Sequence, residues 1–300
     1  MRIAAFSVSF LLTAVLTPFI IRHSYKRGLL DYPKEKSIHT RPMPMAGGLV
    51  IFFVFFVTSL IFHSGYNLLP LFTASIALLA SGLYDDIKGL NAPRKLAVQC
   101  FAAALLVWSG VVITDIKIPF GPLVVLGAFS IPVTIFWLVF IMNLINLLDG
   151  LDGLAAGLSA IVFIVLAAVT FASNLGIQLM ILTGSILAFL AFNFHPAKIF
   201  LGNNGSSFLG LAVGYFSIAT AQKSAVMPIL IIPCVILLIQ IVDVALAIVR
   251  RARNKTGIFT GDKYHIHHRI LGLVKSQRLT VLLFYMCSLI LALAALMVWS

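Results

Sequence analysis

LGAFSIPVTIFWLVFIMNLINLLDGLDGLAAGLSAIVFIVLAAVTFA, residues 126–172, is two apolar runs joined by a short polar block, and Asp149 and Asp152 are its only charged residues. Each run is near the roughly 20 residues that cross about 30 Å of hydrocarbon as a helix. Working outward, runs of the same kind recur at 3–21, 47–62, 68–84, 96–113, 177–194, 207–220, 229–249 and 280–299. With 126–148 and 154–172 they predict an all-α polytopic membrane protein of about ten transmembrane helices, folded as one domain over 1–300. Its composition, 61% hydrophobic and 10% charged over 300 residues, leaves too much apolar surface for a water-soluble core. The eighth run is short, and Pro228 and Pro233 crowd the ninth. The first run lacks a small-residue cleavage site and is followed by a basic cluster, so it reads as a retained anchor.

Charge sets the orientation. Six Lys and Arg fall in 22–41, three in 88–95, one at Lys198 and eight in 250–278, which is 18 of the 21. These loops alternate onto one face, and the positive-inside rule makes that face cytoplasmic, with both termini outside. The net charge of +12 therefore belongs to one membrane surface, where it attracts anionic headgroups and anionic substrates rather than nucleic acid. Outside, 115–125 alternates and then turns through prolines as a small hairpin. Cys100, Cys234 and Cys287 lie in apolar runs without motif spacing and read as small buried hydrophobes.

Seven of the nine acids, and every histidine but His63, fall on the cytoplasmic face, within it or at its edge. Asp85 and Asp86 end an inward-running helix, where the macrodipole is already negative, so they need cations. A divalent metal or Lys88, Arg94 and Lys95 would supply them. Asn146, Asp149 and Asp152 share one side of a continuous helix, although either acid alone would also serve as a cap. His265-Ile-His267-His268-Arg269 reads as a diphosphate grip, a metal site or a basic surface loop. Gly202-Asn203-Asn204-Gly205-Ser206 opens a helix whose N–H groups suit a phosphate. Asp243, inside the ninth run, is an acid placed where acids are costly, and it reads equally as structural or functional.

In order along the chain, HTRPMPMAGG (39–48), Asp85-Asp86, NLLDGLDGLAAG (146–157), NFHPAKIFLG (193–202) and HIHHR (265–269) resemble the polyprenyl-phosphate N-acetylhexosamine-1-phosphate transferases of bacteria. The last block is similar to the branch using UDP-N-acetylglucosamine, rather than the phospho-MurNAc-pentapeptide branch with its run of adjacent histidines. The resemblance implies transfer of a sugar-1-phosphate from a UDP-N-acetylhexosamine to polyprenyl phosphate, releasing UMP and starting a surface glycan such as lipopolysaccharide or teichoic acid. It also implies the bacterial cytoplasmic membrane, Mg²⁺ with Mn²⁺ as an alternative, and a homodimer. Asp85, Asp86, Asp149 and Asp152 become the catalytic acids, and Asp85, Asp86, Asp149 and Asn203 the metal set. Substrate binding goes to His39, Arg41, Lys95, Asn146, Asn193, Lys198, Phe200 as a stacking ring for uracil, and the diphosphate-gripping His265, His267, His268 and Arg269. The chain departs from the family at one position. Where the pattern reads Gly-Asp-x-Gly-Ser and the Asp is a principal metal ligand, this sequence has Asn203. That implies a rearranged metal site or, as preferred, an impaired one created by substitution.

The chemistry suits these residues, because two mutually repelling anions need positioning and charge neutralisation. A transporter for an anionic metabolite would want the same basic vestibule but needs a path at mid-membrane, where only Asp243 lies. An intramembrane aspartyl protease would have only Asp85 and Asp243 to use.

Overall fold

The computed structural model describes residues 1–33, 39–118, 121–222, 230–253 and 265–299. Its helices are α1 (Arg2–Arg27), α2 (Gly47–Ile61), α3 (Leu69–Lys88), α4 (Ala92–Trp108), α5 (Ser130–Leu148), α6 (Leu154–Val169), α7 (Asn174–Asn193), α8 (Gly202–Ala221), α9 (Ile231–Ile236), α10 (Leu238–Arg253), α11 (Ile266–Val274) and α12 (Gln277–Trp299). Strands are confined to two small antiparallel pairs. In the first, β1 (Leu30–Asp31) pairs with β2 (Met43–Pro44); in the second, β3 (Asp115–Lys117) pairs with β4 (Leu123–Val125) in the register Asp115↔Val125. The second is the expected hairpin, apart from 119–120, which lie outside the described residues.

A helix underlies each of the ten apolar runs. By length and composition, four stretches can cross a membrane: Arg2–Arg27, Gly127–Leu148, Asn174–Asn193 and Gln277–Met297. Two further apolar helices, Gly47–Ile61 and Leu154–Val169, are shorter. The protein is thus an all-α membrane protein. The ninth run is divided, since α9 ends at Ile236 and α10 begins at Leu238, with Leu237 between them. The histidine block, expected as loop, instead opens α11. The 254–264 part of the basic loop, with Asp262 and Lys263, lies outside the described residues, as do Glu35, Lys223 and Pro228.

α8 sits at the centre, buried along nearly its whole length, with α2, α3, α5 and α6 packed around it. Small residues make this possible. A Cβ on Gly205 would stand 2.7 Å from the Gly48 Cα of α2, and one on Gly210 would stand 2.6 Å from the Met142 Cα of α5. Helix association in lipid draws on such close approach, because burial of apolar surface drives little there. α1 packs along α7 in the same way, over Gly184 and a 2.8 Å hydrogen bond between the Thr13 and Ser185 hydroxyls. Leu11, Val15 and Phe19 on the far side of α1 are exposed, as side chains solvated by acyl chains should be.

Candidate active site

One end of the bundle gathers the polar loops around a cavity of about 820 Å³. Its wall takes residues from the loop before α2 (Asp31, His39, Arg41), the end of α3 (Asp85, Asp86), the α5–α6 turn (Asn146, Asp149, Asp152), the α7–α8 loop (Asn193, His195, Phe200, Asn203) and the α11–α12 region (His268, Gln277). Segments more than two hundred residues apart therefore meet on the face that the Lys and Arg count had singled out.

The centre of the site is built on a glycine. A Cβ on Gly82 of α3 would stand 2.4 Å from the Asn204 Cα and 2.5 Å from its nitrogen, so α3 lies against the first turn of α8. One helical turn further along α3, Asp86 reaches that first turn. Its Oδ1 accepts from the Asn203 backbone N–H (3.0 Å) and from Asn203 Nδ2 (2.9 Å), and its Oδ2 accepts from Asn204 Nδ2 (2.8 Å). The helix N-terminus expected to hold a phosphate is thus filled by the protein's own carboxylate, a favourable place for negative charge.

Lys95 closes the network from α4. Its ammonium donates to Asp85 Oδ2 (3.0 Å), Asn146 Oδ1 (3.4 Å) and Asn203 Oδ1 (2.6 Å). Asp85 Oδ1 accepts from the Leu90 N–H at 2.6 Å. Asn146 Nδ2 donates to Asn203 Oδ1 (3.1 Å) and Ser206 Oγ (2.8 Å). The orientation of the Asn203 amide is fixed by these partners, because Lys95 can only donate and an ionised Asp86 can only accept. A single asparagine therefore links α3, α4, α5 and α8.

The α5–α6 turn differs from expectation. Helix α5 stops at Leu148, Gly153 turns the chain at φ 83, and α6 begins at Leu154 without a side-chain cap, so Asn146, Asp149 and Asp152 do not share one continuous helix. Asp152 turns away to the α7–α8 loop, where its Oδ2 pairs with His195 Nδ1 (2.8 Å) and accepts from the Ala197 N–H (3.2 Å). The Asp149 carboxylate faces the cavity with no hydrogen-bond partner among the described residues, its backbone N–H alone donating to the Asn146 carbonyl at 3.3 Å. Burial first, and then the negative charges of Asp86 and Asp152, hold its carboxyl well above the usual range, with Lys95 opposing them.

This bears on a metal. The wall carries hard oxygen donors of the kind Mg²⁺ takes, and the Asp149 carboxylate forms no ion pair among the described residues. Asp85 and Asp86 are already engaged by Lys95 and the two asparagine amides, and no three His, Cys, Asp or Glu side chains among the described residues stand close enough to enclose an ion. The donor chemistry and charge fit a hard dication, with Asp149 as the unengaged ligand.

The other expected residues separate into two groups. His39 and Arg41 line the cavity, and the His39 ring meets Phe200 edge-on at 5.1 Å. Phe200 is held by its own backbone, through Phe200 N–H to Pro44 O (2.8 Å) and Gly47 N–H to Phe200 O (3.1 Å). Asn193 bonds the Ile199 carbonyl at 2.9 Å and so shapes the loop. Lys198 and Arg269 are exposed and are not on the cavity wall. Of the histidine block only His268 reaches the wall, since His265 and His267 are buried behind it against Asp243. Sequence reasoning gave His195, Asn204 and Ser206 no role of their own beyond membership of a motif block, and it passed over Gln277. For those three the available signal was a polar residue inside a block already noted.

The glycosyl transferase family 4 pattern matches residues 68–221, which carry most of this wall. Over 99% of its length the chain is 36% identical to a probable undecaprenyl-phosphate N-acetylglucosaminyl 1-phosphate transferase of Bacillus subtilis (strain 168), covering 85% of that relative. It is 34% identical to the decaprenyl-phosphate N-acetylglucosaminephosphotransferase of Mycobacterium tuberculosis (strain ATCC 25618 / H37Rv), over 86% of this chain and 73% of the relative. It is also 31% identical to the phospho-N-acetylmuramoyl-pentapeptide-transferase of Halalkalibacterium halodurans, over 90% of this chain and 88% of the relative.

Proposed function

We propose that this chain, which belongs to glycosyl transferase family 4, transfers N-acetylglucosamine-1-phosphate from a UDP-sugar to a polyprenyl phosphate and releases UMP. The observation that carries the reading is a cavity on whose wall Asp85, Asn146 and Asn203, tied together by Lys95 from behind, stand with Asp149, whose carboxylate has no partner among the described residues. Relatives named for N-acetylglucosamine phosphate transfer to undecaprenyl and decaprenyl phosphate support the substrate class. The ten apolar runs would supply ten crossings of the bacterial cytoplasmic membrane, with the cavity in the cytoplasm and both termini outside. The Lys and Arg distribution supports that orientation.

An oxygen of the lipid phosphate attacks the sugar-bearing phosphorus of the donor. The bond to the bridging oxygen breaks, and UMP leaves with that oxygen. The second pKa of a phosphate monoester is near ~6, so most of the acceptor is already a dianion at neutral pH and direct attack needs no strong base. Catalysis is then positioning and charge neutralisation. Lys95 fixes the acids and amides of the wall. Arg41, His39 and His268 line the same cavity and can meet the diphosphate, and Phe200 offers a ring face to the base. Asp149, the acid that the Lys95 network leaves unengaged, would hold Mg²⁺ or Mn²⁺, whose charge would offset that which accumulates on the phosphates; Asp85, Asp86 and Asn203 could join it only by giving up the bonds they make to Lys95 and to one another.

The test is UMP release from a panel of UDP-sugars with polyprenyl phosphate and Mg²⁺. Release with UDP-N-acetylglucosamine is expected, more from the Asn203→Asp variant run beside this chain, and no release with any donor by either would overturn the reading.

A further inference from the structure

Asp243 sits in α10, inside the ninth apolar run, and is 6% exposed. It is not on the cavity wall, so it does not touch substrate. An acid in such a place is costly unless it is fully paired, and the structure shows what it pairs with. Its Oδ1 accepts from the backbone N–H of Ile266 at 2.9 Å, and its Oδ2 pairs with His265 Nδ1 at 3.1 Å and lies 3.9 Å from His267 Nδ1. Ile266 is the first residue of α11. One carboxylate from a different helix therefore caps α11 at its N-terminus, where negative charge is favoured, bonds the His265 ring just before it and lies close to that of His267.

Helix α11 has only nine residues, too few to stand alone in water. Ile270 and Leu271 pack one side of it against the core, and Asp243 holds its first turn. Beyond the clamp lies the acid-bearing turn. The His265 and His267 rings stack at 5.6 Å, and a Cβ on Gly150 would stand 3.2 Å from His267 Nε2. His267 thus rests over the residue next to Asp149. His268, with its ring 4.4 Å from that of His267, is the one that emerges on the cavity wall. The chain of contacts runs from Asp243 through His265 and His267 to Gly150, with His268 as its outlet.

We infer that Asp243 is a positioning residue, which clamps α11 against the Asp149 turn and thereby sets His268 in the cavity. The kinetic part of this inference rests on the transferase reading, while the clamp itself does not. An asparagine at 243 can still accept from the Ile266 N–H and can donate to His265 Nδ1 in the other imidazole tautomer, so it preserves the clamp without the charge. An alanine cannot.

The experiment uses the full chain in detergent with Asp243→Ala, Asp243→Asn, His268→Ala and the Asp243→Ala/His268→Ala pair, each checked by thermal unfolding. Asp243→Ala should raise KM for the UDP-sugar by about tenfold or more while leaving KM for polyprenyl phosphate within about threefold, and Asp243→Asn should restore the donor KM. The double variant should be no worse than His268→Ala alone, because both act through one ring. Unchanged donor KM in Asp243→Ala, an Asp243→Asn variant as impaired as Asp243→Ala, or losses that multiply in the double variant would each overturn the inference. Amide hydrogen exchange across 265–274 reads the clamp without any turnover. Exchange should quicken in Asp243→Ala and stay near wild type in Asp243→Asn, and unaltered exchange in the alanine variant overturns the clamp. Absence of UMP release by the wild-type chain would instead count against the transferase reading and leave the exchange result to stand.

Discussion

The substitution Asn203→Asp changes one atom at the most connected point of the site, and the distances allow the consequence to be worked out. The Asn203 Nδ2 lies 2.9 Å from Asp86 Oδ1. An oxygen in its place would set two carboxylates against each other at a cost of about 6 kcal/mol at an effective dielectric of ~20. On its other side Asn203 Oδ1 is 2.6 Å from Lys95 Nζ, and a full charge there gains a similar ~6 kcal/mol by the same relation. The two effects nearly cancel, so the Asn203→Asp chain should fold, with Asp86 still held by the backbone N–H of residue 203 and by Asn204. What does not cancel is the demand for a cation, since the site gains one negative charge on the wall it shares with Asp149, whose ionised form the charges of Asp86 and Asp152 already oppose. Affinity for a hard dication rises with the count of charged oxygen ligands, and a fraction of the ~6 kcal/mol is enough for a tenfold effect, which needs only ~1.4 kcal/mol. Expected in the UMP-release assay are half-maximal activity at about tenfold less Mg²⁺ or lower and a higher turnover than the Asn203 chain. A variant that folds with the wild-type melting temperature but shows no gain in Mg²⁺-dependent turnover would refute the reasoning, and would make the amide a working part of a rearranged site.

Lys95→Met removes the ammonium that Asp85, Asn146 and Asn203 share, and leaving acids without their buried cation costs about 3 kcal/mol or more, so UMP release should fall at least about 100-fold in steady-state assays. Gly82→Ala places a methyl group 2.4 Å from the Asn204 Cα, an overpacking cost of about 1–3 kcal/mol, and should lower the melting temperature and the activity together because Asp86 moves with α3. Burial, reinforced by His268 and His265, pushes the His267 imidazole down to about 4 from 6.5, so the folded state resists its proton. The stability this group contributes is complete above pH 6.5 and is lost as the pH falls towards 4, by up to about 3 kcal/mol, which thermal unfolding in detergent across that range will register; His267→Gln should flatten the profile.

How much of this was legible in the sequence follows from what a bilayer forbids. Polar residues cannot stand in the hydrocarbon without partners, so in this chain they collect at the ends of apolar runs, and the ten runs with their intervening blocks could be read directly from hydropathy. Those blocks do converge on one cavity, because runs of similar length return alternate loops to the same face. Pairing was not legible. Asn146, Asp149 and Asp152 have the spacing of one helical face, yet the left-handed turn at Gly153 breaks the helix and sends Asp152 to His195, a partner 43 residues away. The Gly202–Ser206 turn has the composition of a phosphate cradle, but the close approach of Gly82 lets Asp86 reach the first N–H groups before any ligand does.

The same limit explains the histidine block and shows what the polar residues of this fold accomplish. Read as a string, His265, His267 and His268 are three equivalent donors in a basic loop. In the structure they differ because helix α11 turns them onto different sides, two towards the buried Asp243 and one towards the cavity. The acids divide in a parallel way. Asp86, Asp152 and Asp243 each accept a backbone N–H from a distant segment, at Asn203, Ala197 and Ile266, and so tie the α7–α8 loop and α11 to the bundle. In lipid, where apolar burial does little to hold helices together, carboxylate-to-backbone bonds of this kind can fix the loops that a soluble protein would fix with a hydrophobic core. Asp149 makes none of them, and an acid with no structural bond to make, at the wall of the cavity, is the one left to act on what enters it.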